Sequence, residues 1–448
     1  MFEYVEMPEF LENFAEVLNT KKDEMKEKIL HGTRNLLRKN FKKYFGLNWV
    51  RFPETKDVPC SSKEFDVMAV DSSVYTNLLS NGGLFYIIRS MAVCRGDVHK
   101  ILQTDVIFSK DELYKTKNLI GRKMELLEFQ VIIDSLKDGF NCKTILLDGS
   151  LYGRAIHLPI ETKTKEDIPT LLKYFKVYTE LLDLCRKENI LLIGVSKQSR
   201  STFFRDFLLR LIFDEEVKRI DLNSEVIRKL RSIFLEALDR EKAALKKFDR
   251  LKDKYKDELK QSELILEELV SSRPDYQLVM NLAETIGHTQ PLILGSSARM
   301  VRYFERFESN PRGFIRNRFP RATREKGDVF IEWASKIISQ IPRFPSFISF
   351  HLLLDRRDSP IRIDIPNWER SLSKIGWPKP VDINLENLLK IMITGYCGLD
   401  GYNLWLKDVD QKVRLKKKNV DQIYFPYMER IFKEKIIRGR SYRRVRYP

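Results

Sequence analysis

The chain has 448 residues, with 80 lysines and arginines against 63 aspartates and glutamates and a formal net charge of +17. This length accommodates two domains or one elaborated domain, and the basic charge favours a polyanionic partner over a basic one. The best apolar stretch, residues 82–94, is interrupted by Arg89, so we expect no membrane span. Five widely spaced cysteines without a CxxC pair, and a start without a secretory pattern, predict a cytoplasmic protein.

The apolar and turn patterns predict a basic helical segment near the start, followed by elements in the order β-β-β-α-β-α-β-α. The predicted bounds are 66–70, 84–94, 104–109, 111–136, 144–147, 168–186, 190–195 and a last helix from about residue 202. This order is typical of the ribonuclease-H-like fold, a mixed five-stranded α/β sheet flanked by helices. In that fold the first and fourth strands are neighbours.

Two of these strands end in an aspartate followed by small residues. Asp71 follows the strand 66–70, and Asp148 follows the strand 144–147. If the two strands are parallel neighbours, the carboxylates converge at one edge of the sheet, and the small residues leave room for a phosphate. Hard carboxylate oxygens suit Mg²⁺ or Mn²⁺, so the pattern predicts a metal-dependent site for phosphoryl transfer.

The region 223–270 is highly charged and helical. Leu238, Leu245, Leu259 and Leu266 share one heptad position, which is broken by Lys252. This spacing favours an antiparallel hairpin or projecting arm, and an ordinary solvated helix packed on one side is the alternative. Further on, the pattern predicts a strand pair over 346–354 and 361–365 and a helix over 386–393.

The C-terminal region is basic. Residues 430–446 carry eight basic side chains against the single acid Glu434, a second basic block lies at 412–418, and Tyr442 and Tyr447 are interleaved with these charges. Cations mixed with aromatic rings are typical of grooves for single-stranded nucleic acid, and a solvated tail is the alternative. The residues predicted to contact nucleic acid here are Lys416, Lys417, Lys418, Arg438, Arg440, Arg443 and Arg444.

Five blocks of sequence together resemble a known family. They are VMAVDSS with ILLDGSLYG, LLIGVSKQSRS, RPDYQLVMNLAETIGHTQPLILG, FISFHLLLDRRDSPIRIDIP and GLDGYNLWLKDVDQKVRL. Their order and spacing over about residues 66–415 resemble those of NurA nucleases. The resemblance implies a ribonuclease-H-like, Mn²⁺-dependent DNA nuclease of archaeal type, a dimer that resects DNA ends 5′ to 3′ with a hexameric HerA-type helicase. It also implies endonuclease activity on single strands.

The resemblance assigns the first carboxylate to Asp71 and the DGS aspartate to Asp148. The intervening helix offers two glutamates, Glu125 and Glu128, and we favour Glu128 because it lies about one turn closer to the following strand. Asp275 matches a further acidic position, although it is equally well placed as a helix N-cap.

Three other residues have two interpretations each. Lys197 matches a basic residue that would hold the scissile phosphate, or it is simply solvated. Tyr152 stacks on a base or orients a water, or it packs in the core. Arg362 contacts the DNA backbone, or it pairs near Asp364 at a strand edge.

One position departs from the family pattern. Asp410 stands where the resemblance implies a histidine ligand, and neither His288 nor His351 is an evident substitute. We therefore predict that Asp71, Glu128, Asp148 and Asp410 hold Mn²⁺ or Mg²⁺. A non-catalytic NurA-derived subunit that binds DNA and docks on a translocase is the competing hypothesis, and an RNA-processing nuclease is a third.

The predicted domains follow from this comparison. Residues 1–60 form a basic helical segment for dimer or partner contact, and 61–215 form the nuclease core. Residues 216–272 form an inserted charged arm, and 273–448 complete the family domain and carry the basic tail.

Overall fold

The structure is a computed structural model that describes residues 10–30, 35–52, 65–110, 112–162, 164, 169–239, 243–271, 273–374, 376 and 378–439. The chain forms two compact units. Unit 1 consists of Met1–Trp49 and Arg200–Ala283, and unit 2 consists of Val50–Ser199 and Glu284–Pro448.

The described strands form one mixed sheet of eleven strands, in the order β1-β7-β9-β10-β6-β5-β2-β3-β4, with β8 on β9 and β11 on β8. Their bounds are β1 (Trp49–Arg51), β2 (Val67–Leu78), β3 (Leu84–Cys94), β4 (Asp97–Ile107), β5 (Thr144–Asp148), β6 (Leu191–Lys197), β7 (Gly287–Thr289), β8 (Leu292–Leu294), β9 (Pro345–Leu353), β10 (Ile361–Ser371) and β11 (Lys379–Pro380). The expected five strands are β2 to β6, and the sheet continues beyond β6 through β10 and β9, which correspond to the strand pair predicted over 361–365 and 346–354.

The helices surround this sheet or belong to unit 1. Their bounds are α1 (Leu11–Thr20), α2 (Lys22–Leu30), α3 (Asn35–Leu47), α4 (Leu113–Lys137), α5 (Leu151–Ala155), α6 (Thr170–Lys187), α7 (Phe203–Arg219), α8 (Ser224–Leu238), α9 (Ala243–Lys252), α10 (Lys260–Val270), α11 (Asp275–Leu282), α12 (Ala298–Ser309), α13 (Pro311–Arg318), α14 (Pro320–Ile338), α15 (Glu386–Gly395), α16 (Leu404–Val413), α17 (Lys417–Asn419) and α18 (Phe425–Phe432). The predicted order of elements from β2 to α7 is confirmed, with the short α5 added after β5.

The strand that carries Asp71 is longer than predicted. β2 pairs in parallel with β5 from Val67 opposite Thr144 to Val70 opposite Leu147, which confirms the predicted adjacency of the two strands. The prediction that the strand ends at Asp71 was wrong, because β2 continues to Leu78 as an antiparallel partner of β3. Asp71 therefore lies where the parallel pairing ends, inside a continuous strand.

Helices cover both faces of the central strands. On one face, α4 places Leu119 and Ile120 against Leu84, Tyr86 and Ile88 of β3. The opposite face, formed by alternate residues of β2, β5 and β6, packs against buried side chains of α15 and α16. That second core includes Val67, Ala69, Leu146, Ile193 and Val195 from β2, β5 and β6, and Leu388, Ile391, Leu406, Val409 and Val413 from α15 and α16.

Unit 1 contains the charged helical region. The structure divides it into the three helices α8, α9 and α10, of which α8 packs on both others and α10 also packs on α7. Leu238, Phe248, Leu259 and Leu266 are all buried. The structure therefore favours the alternative of helices packed on one side over a projecting arm.

None of the helices in the part of the chain that the structure describes combines the length and the apolar character needed to cross a lipid bilayer.

Candidate active site

The first feature of the site is a shared face of three parallel strands. Side chains two residues apart in a strand point to the same side of a sheet. Val67 and Ala69 of β2, Leu146 of β5, and Ile193 and Val195 of β6 all belong to the core under α15 and α16. The same alternation places the next side chains, Asp71, Asp148 and Lys197, on that face at the carboxyl edge of β5 and β6.

The second feature is a group of contacts around Asp148. Lys197 Nζ lies 3.0 Å from Asp148 Oδ2, and the Tyr402 hydroxyl donates to the same oxygen at 3.4 Å. Lys197 Nζ also lies 4.3 Å from the centroid of the Tyr402 ring. Lys197, Tyr402 and Asp410 line a groove of about 420 Å³. Asp148 is therefore held by a cation and a phenol beside an open groove of a size that admits a ligand.

The charges of the other carboxylates act on Asp71. Burial, followed by the charges of Asp148 and Glu128, raises the pKa of Asp71 from 3.8 to about 8, and the charge of Asp410 acts in the same direction. The backbone N–H of Ser72 donates to Asp71 Oδ1 at 2.7 Å and opposes this rise. Four acidic side chains from β2, β5, α4 and α16 thus share one electrostatic environment.

Glu128 reaches this environment from the α4 side of the sheet. It is only 2% exposed, it accepts a hydrogen bond from the Ser72 hydroxyl, and its Oε2 lies 2.6 Å from Arg154 Nη2. Burial raises the pKa of Glu128, while Arg154 and Ser72 act against that rise. Ser72 lies next to Asp71 in β2, so this contact links α4 directly to the strand that carries Asp71.

Glu125 has different neighbours. Its carboxylate lies 2.7 Å from Arg122 Nη1 and 3.3 Å from His157 Nε2. Burial disfavours its charge, but His157, Arg154 and Arg122 outweigh burial and hold the pKa of Glu125 at about 2. Its charge is not among the causes of the raised pKa of Asp71. These contacts favour Glu128 over Glu125 as the glutamate of the site.

The turn after β5 depends on two glycines. Gly149 has φ +114°, a conformation that favours glycine, and its N–H donates to the Val195 carbonyl at 2.8 Å. A Cβ at Gly149 would lie 2.9 Å from Arg154 Nη2, and one at Gly194 would lie 2.7 Å from the Gly149 carbonyl oxygen. Glycine at both positions therefore lets the turn lie against β6 and leaves space for Arg154.

The donor chemistry of the site fits a hard divalent cation. Asp71, Glu128, Asp148 and Asp410 offer carboxylate oxygens, the ligands that Mg²⁺ and Mn²⁺ prefer. Their mutual repulsion at Asp71 is the charge that a cation would relieve. Among the described residues, however, no three acidic, histidine or cysteine side chains are already grouped as a metal site. Asp148 is paired with Lys197, so an ion that binds Asp148 has to displace the Lys197 ammonium.

A comparison with family models decides the family. The model of the NurA domain matches residues 65–415. The chain belongs to the NurA family. The fold agrees, since the NurA nuclease from Sulfolobus solfataricus aligns with 94% of this chain and 98% of its own, with a TM-score of 0.50 and 13% identity. The chain is thus a mixed α/β protein with a large mixed sheet flanked by helices, as in that structure.

Other NurA structures align over similar lengths. NurA bound to dAMP and manganese covers 90% of this chain and 95% of its own, at 12% identity and a TM-score of 0.38. Another NurA crystal structure covers 92% and 98%, at 14% identity and a TM-score of 0.39. No match was found among curated proteins. At these scores the alignments carry no argument about individual residues.

Two residues predicted for the NurA site are engaged elsewhere in unit 2. Tyr152 is buried, and its hydroxyl donates to the Gly295 carbonyl at 2.7 Å. Arg362 is buried too, and its Nε and Nη2 donate to the two oxygens of Asp364 at 2.9 and 3.1 Å. These contacts favour the second interpretation of each residue, which is packing for Tyr152 and pairing with Asp364 for Arg362.

Asp275 lies in unit 1, and its side chain contacts the start of a neighbouring helix. It is the first residue of α11, but its side chain accepts hydrogen bonds from the backbone N–H groups of Phe204 and Arg205 at 3.2 and 2.8 Å. It also accepts one from the Ser201 hydroxyl at 3.2 Å. Asp275 therefore caps the start of α7, not of its own helix, which favours the capping interpretation in a modified form.

The two histidines considered as substitute ligands are both buried. His351 is buried, and burial together with Arg362 lowers its pKa to about 3. His288 is buried as well, with its Nδ1 2.9 Å from the Thr289 carbonyl oxygen. His288 is on β7 and His351 is on β9, and β10 and β6 separate these strands from the strands that carry Asp148 and Asp71.

The predicted DNA-contacting residues differ in exposure. Lys416, Lys417 and Lys418 are exposed. Arg438 is half-buried, with its Nη1 2.6 Å from Asp421 Oδ1 and its guanidinium 3.9 Å from the centroid of Phe425. Arg438 is thus part of a folded contact. The remaining predicted residues, Arg440, Arg443 and Arg444, lie outside the described residues.

Sequence reasoning missed two residues of the site. Tyr402 contacts Asp148 and Lys197, and its signal was its place in the GLDGYNLWLKDVDQKVRL block, eight residues before Asp410. Arg154 contacts Glu128, and its Nη2 also donates to the Asp148 carbonyl at 2.7 Å. A basic residue just after the DGSL turn was the available signal.

Proposed function

We propose that this protein is a DNA nuclease that hydrolyses phosphodiester bonds and depends on Mn²⁺ or Mg²⁺. One observation carries the proposal, namely that Asp71 and Asp148 both lie where the parallel pairing of β2 and β5 ends, beside the groove that Lys197, Tyr402 and Asp410 line. Asp71 and Glu128 are also buried, and buried like charges beside an open groove are costly for a purely structural protein. Membership of a family that includes a named nuclease is the second support.

The chain's own residues have distinct roles in this proposal. Asp71, Glu128, Asp148 and Asp410 would hold the cation, and a divalent cation bound there would acidify a water and neutralise charge on the phosphate. Lys197 and Tyr402 would contact the phosphate after Lys197 leaves Asp148, since both line the groove beside it. Arg154 holds Glu128 and the Asp148 carbonyl in place without facing the groove. Manganese is bound in a related NurA structure, which supports this choice of ion.

The finer assignments rest on the family. We propose a ribonuclease-H-like nuclease core over residues 61–215, supported by the strand order β6-β5-β2-β3-β4, with residues 273–448 completing the domain. We also propose 5′ to 3′ exonuclease and single-strand endonuclease activity in DNA end resection. The proposed assembly is a homodimer that works with a hexameric HerA-type helicase, with residues 1–60 as the contact segment. Residues 216–272 are proposed as an insertion.

A second candidate function has its own motivation. Asp410 replaces the implied histidine, and no three ligands among the described residues are already grouped. A NurA-derived subunit that binds DNA without cutting it would have these properties. Incubation with a strand labelled at the 5′ end in one sample and at the 3′ end in another, with Mn²⁺, Mg²⁺ or EDTA, separates the two functions. Metal-dependent products support the nuclease, and their pattern gives the polarity, whereas binding without products supports the second candidate.

A further inference from the structure

A second cavity lies at the far end of β10. Its volume is about 340 Å³, and its walls come from the C-terminal half of α6, from the 3₁₀ turn Ile341–Arg343 and from the end of β10. β10 begins at Ile361, opposite Lys197 of the candidate active site, and ends at Ser371. Eleven residues of extended chain place the two ends roughly 30 Å apart. We call this space the distal cavity, because it is separate from the carboxylates.

The distal cavity is positively charged. Arg186, Arg343 and Arg370 line it, and all three are exposed. Asp183 is the one carboxylate in its lining. Over the described part of the chain, none of the three guanidinium groups forms an ion pair with an acidic side chain. Three guanidinium groups without internal partners are available to phosphate oxygens, which they bind through paired N–H donors.

An aromatic ring lies among these cations. Trp368 is half-buried and lines the distal cavity together with Arg370. Below them, Phe344 is buried and packs against the ring of Tyr178, with the centroids 5.5 Å apart. The distal cavity therefore combines an accessible indole and a rigid aromatic floor with three cations.

A bulge in β10 produces this arrangement. Asn367 pairs with Ser346 and Ser371 pairs with Pro345, so the three residues between them have no partner on β9. The Asn367 side chain accepts a hydrogen bond from the Glu369 N–H at 3.2 Å and fixes the turn of the chain. Bulges of this kind redirect side chains and interrupt pairing. Here the bulge directs Trp368 and Arg370 into the distal cavity.

We propose that the distal cavity binds one nucleotide unit of a single-stranded DNA segment, with the base stacked on Trp368 and the adjacent phosphates held by Arg186, Arg343 and Arg370. An aromatic face among arginines is the chemistry of sequence-tolerant single-strand binding. The proposal rests on the proposed function, since the ligand is part of the substrate strand. It adds a second DNA contact far from the proposed metal site. Only strands long enough to reach from the metal site to the distal cavity can make this contact.

The test measures binding without cleavage. The full-length protein is titrated in EDTA against a labelled oligothymidylate long enough to span both places, and affinity is followed by fluorescence anisotropy over a series of salt concentrations. Arg343→Ala with Arg370→Ala should lower the salt slope by about 1.4, or about 0.7 for each lost phosphate contact. The matched control is Arg228→Ala with Arg231→Ala, which removes two exposed arginines of α8 and should leave the slope unchanged.

The tryptophan supplies a second, independent readout. Trp368→Ala should weaken binding about fivefold or more, because a stacked base is lost, and Trp368→Phe should retain most of the affinity. The proposal is overturned if the Arg343 and Arg370 double variant has the same salt slope as the control variant. It is also overturned if Trp368→Ala binds the oligothymidylate with wild-type affinity. Weaker dAMP binding in Trp368→Ala, with oligothymidylate binding unchanged, overturns the assignment to a strand and leaves a site for free nucleotides.

Cleavage assays separate this proposal from the proposed function. A trinucleotide cannot span both places, so its Mn²⁺-dependent cleavage should be the same in wild type and in the Arg343 and Arg370 variant, whereas the KM for long strands should rise. If no substrate is cut by any variant but the salt slope still falls, the nuclease function fails and the distal site stands. If wild type cuts DNA and the slope does not change, the distal site fails and the nuclease function stands.

Discussion

Glu128 and Arg154 form a buried ion pair with 2.6 Å between Oε2 and Nη2, and each side chain is at most 6% exposed. The same Nη2 atom donates to the backbone carbonyl of Asp148 at 2.7 Å. One guanidinium therefore connects α4 to the turn after β5. The positions of two proposed metal ligands are coupled through a residue that does not itself line the groove.

The first prediction tests this coupling. Arg154→Met should lower the free energy of unfolding by about 3–5 kcal/mol, because it leaves a buried carboxylate without its partner. Combining it with Glu128→Gln should recover part of that loss. Urea unfolding measures both values. A loss of under about 1 kcal/mol for Arg154→Met would show that the pair does not hold the site together.

The second prediction concerns pH. The carboxyl of Asp71 has a pKa of about 8 in the folded protein against 3.8 as its ordinary value, and burial is the largest cause. Because its pKa is raised, the carboxyl of Asp71 keeps its proton to a higher pH in the folded state than in the unfolded state. The stabilisation that this protonated carboxyl contributes is therefore present below about pH 4 and is lost as the pH rises towards 8. In EDTA, Asp71→Asn should therefore become more stable relative to wild type as the pH rises through this range.

Urea unfolding across this pH range provides the measurement. Asp408→Asn is the matched control, because Asp408 is on α16 and pairs with Lys412 at the surface. The control variant should follow wild type at every pH. A constant difference between wild type and Asp71→Asn would mean that Asp71 is ionised throughout and that the carboxylates do not repel one another.

The third prediction uses the departure at Asp410. Asp410→His should retain cleavage and shift the preference from Mg²⁺ towards Mn²⁺, since imidazole nitrogen suits the softer ion. Asp410→Ala should lose most activity because the site holds its ion more weakly. Metal titrations of the cleavage rate distinguish the variants. Wild-type behaviour of Asp410→Ala would remove Asp410 from the site and leave Asp71, Glu128 and Asp148 to hold the ion.

The fourth prediction concerns the exposed lysines after α16. Replacing Lys416, Lys417 and Lys418 with alanine should lower the salt slope of DNA binding by up to about 0.7 per lysine on single strands. The control replaces Lys254, Lys256 and Lys260, which are also exposed. Equal slopes for the two triple variants would assign the first group to solvent or to a protein partner.

Much of the strand order from β2 to β6 followed from local sequence pattern. β3 has the predicted bounds because the turn signal Asn81-Gly82-Gly83 fixes its start and an apolar run, broken at Arg89 and Ser90, fixes its length. The adjacency of β2 and β5 followed from the order of elements. The extension of β2 to Leu78 did not, because Asp71 and the two serines after it interrupt the apolar pattern that defines a strand in sequence.

Contacts between distant segments set the limit of prediction. Asp275 caps α7 from about seventy residues further along the chain, and no local pattern indicates which helix such a carboxylate will reach. The choice between Glu125 and Glu128 likewise depended on Arg154 and His157, which lie beyond the next strand. The bulge that directs Trp368 into the distal cavity depends on how β10 pairs with β9. The sequence of β10 alone does not indicate that pairing.

The most direct test of the account is cleavage of end-labelled DNA by purified wild type, Asp71→Asn, Asp148→Asn and the control Asp408→Asn, each with Mn²⁺, Mg²⁺ or EDTA. We predict metal-dependent cleavage by wild type and Asp408→Asn, none in EDTA, and at least a hundredfold loss in the other two variants at unchanged DNA affinity, equivalent to about 2.7 kcal/mol or more in transition-state free energy. Cleavage by Asp71→Asn or Asp148→Asn at close to the wild-type rate would contradict the account.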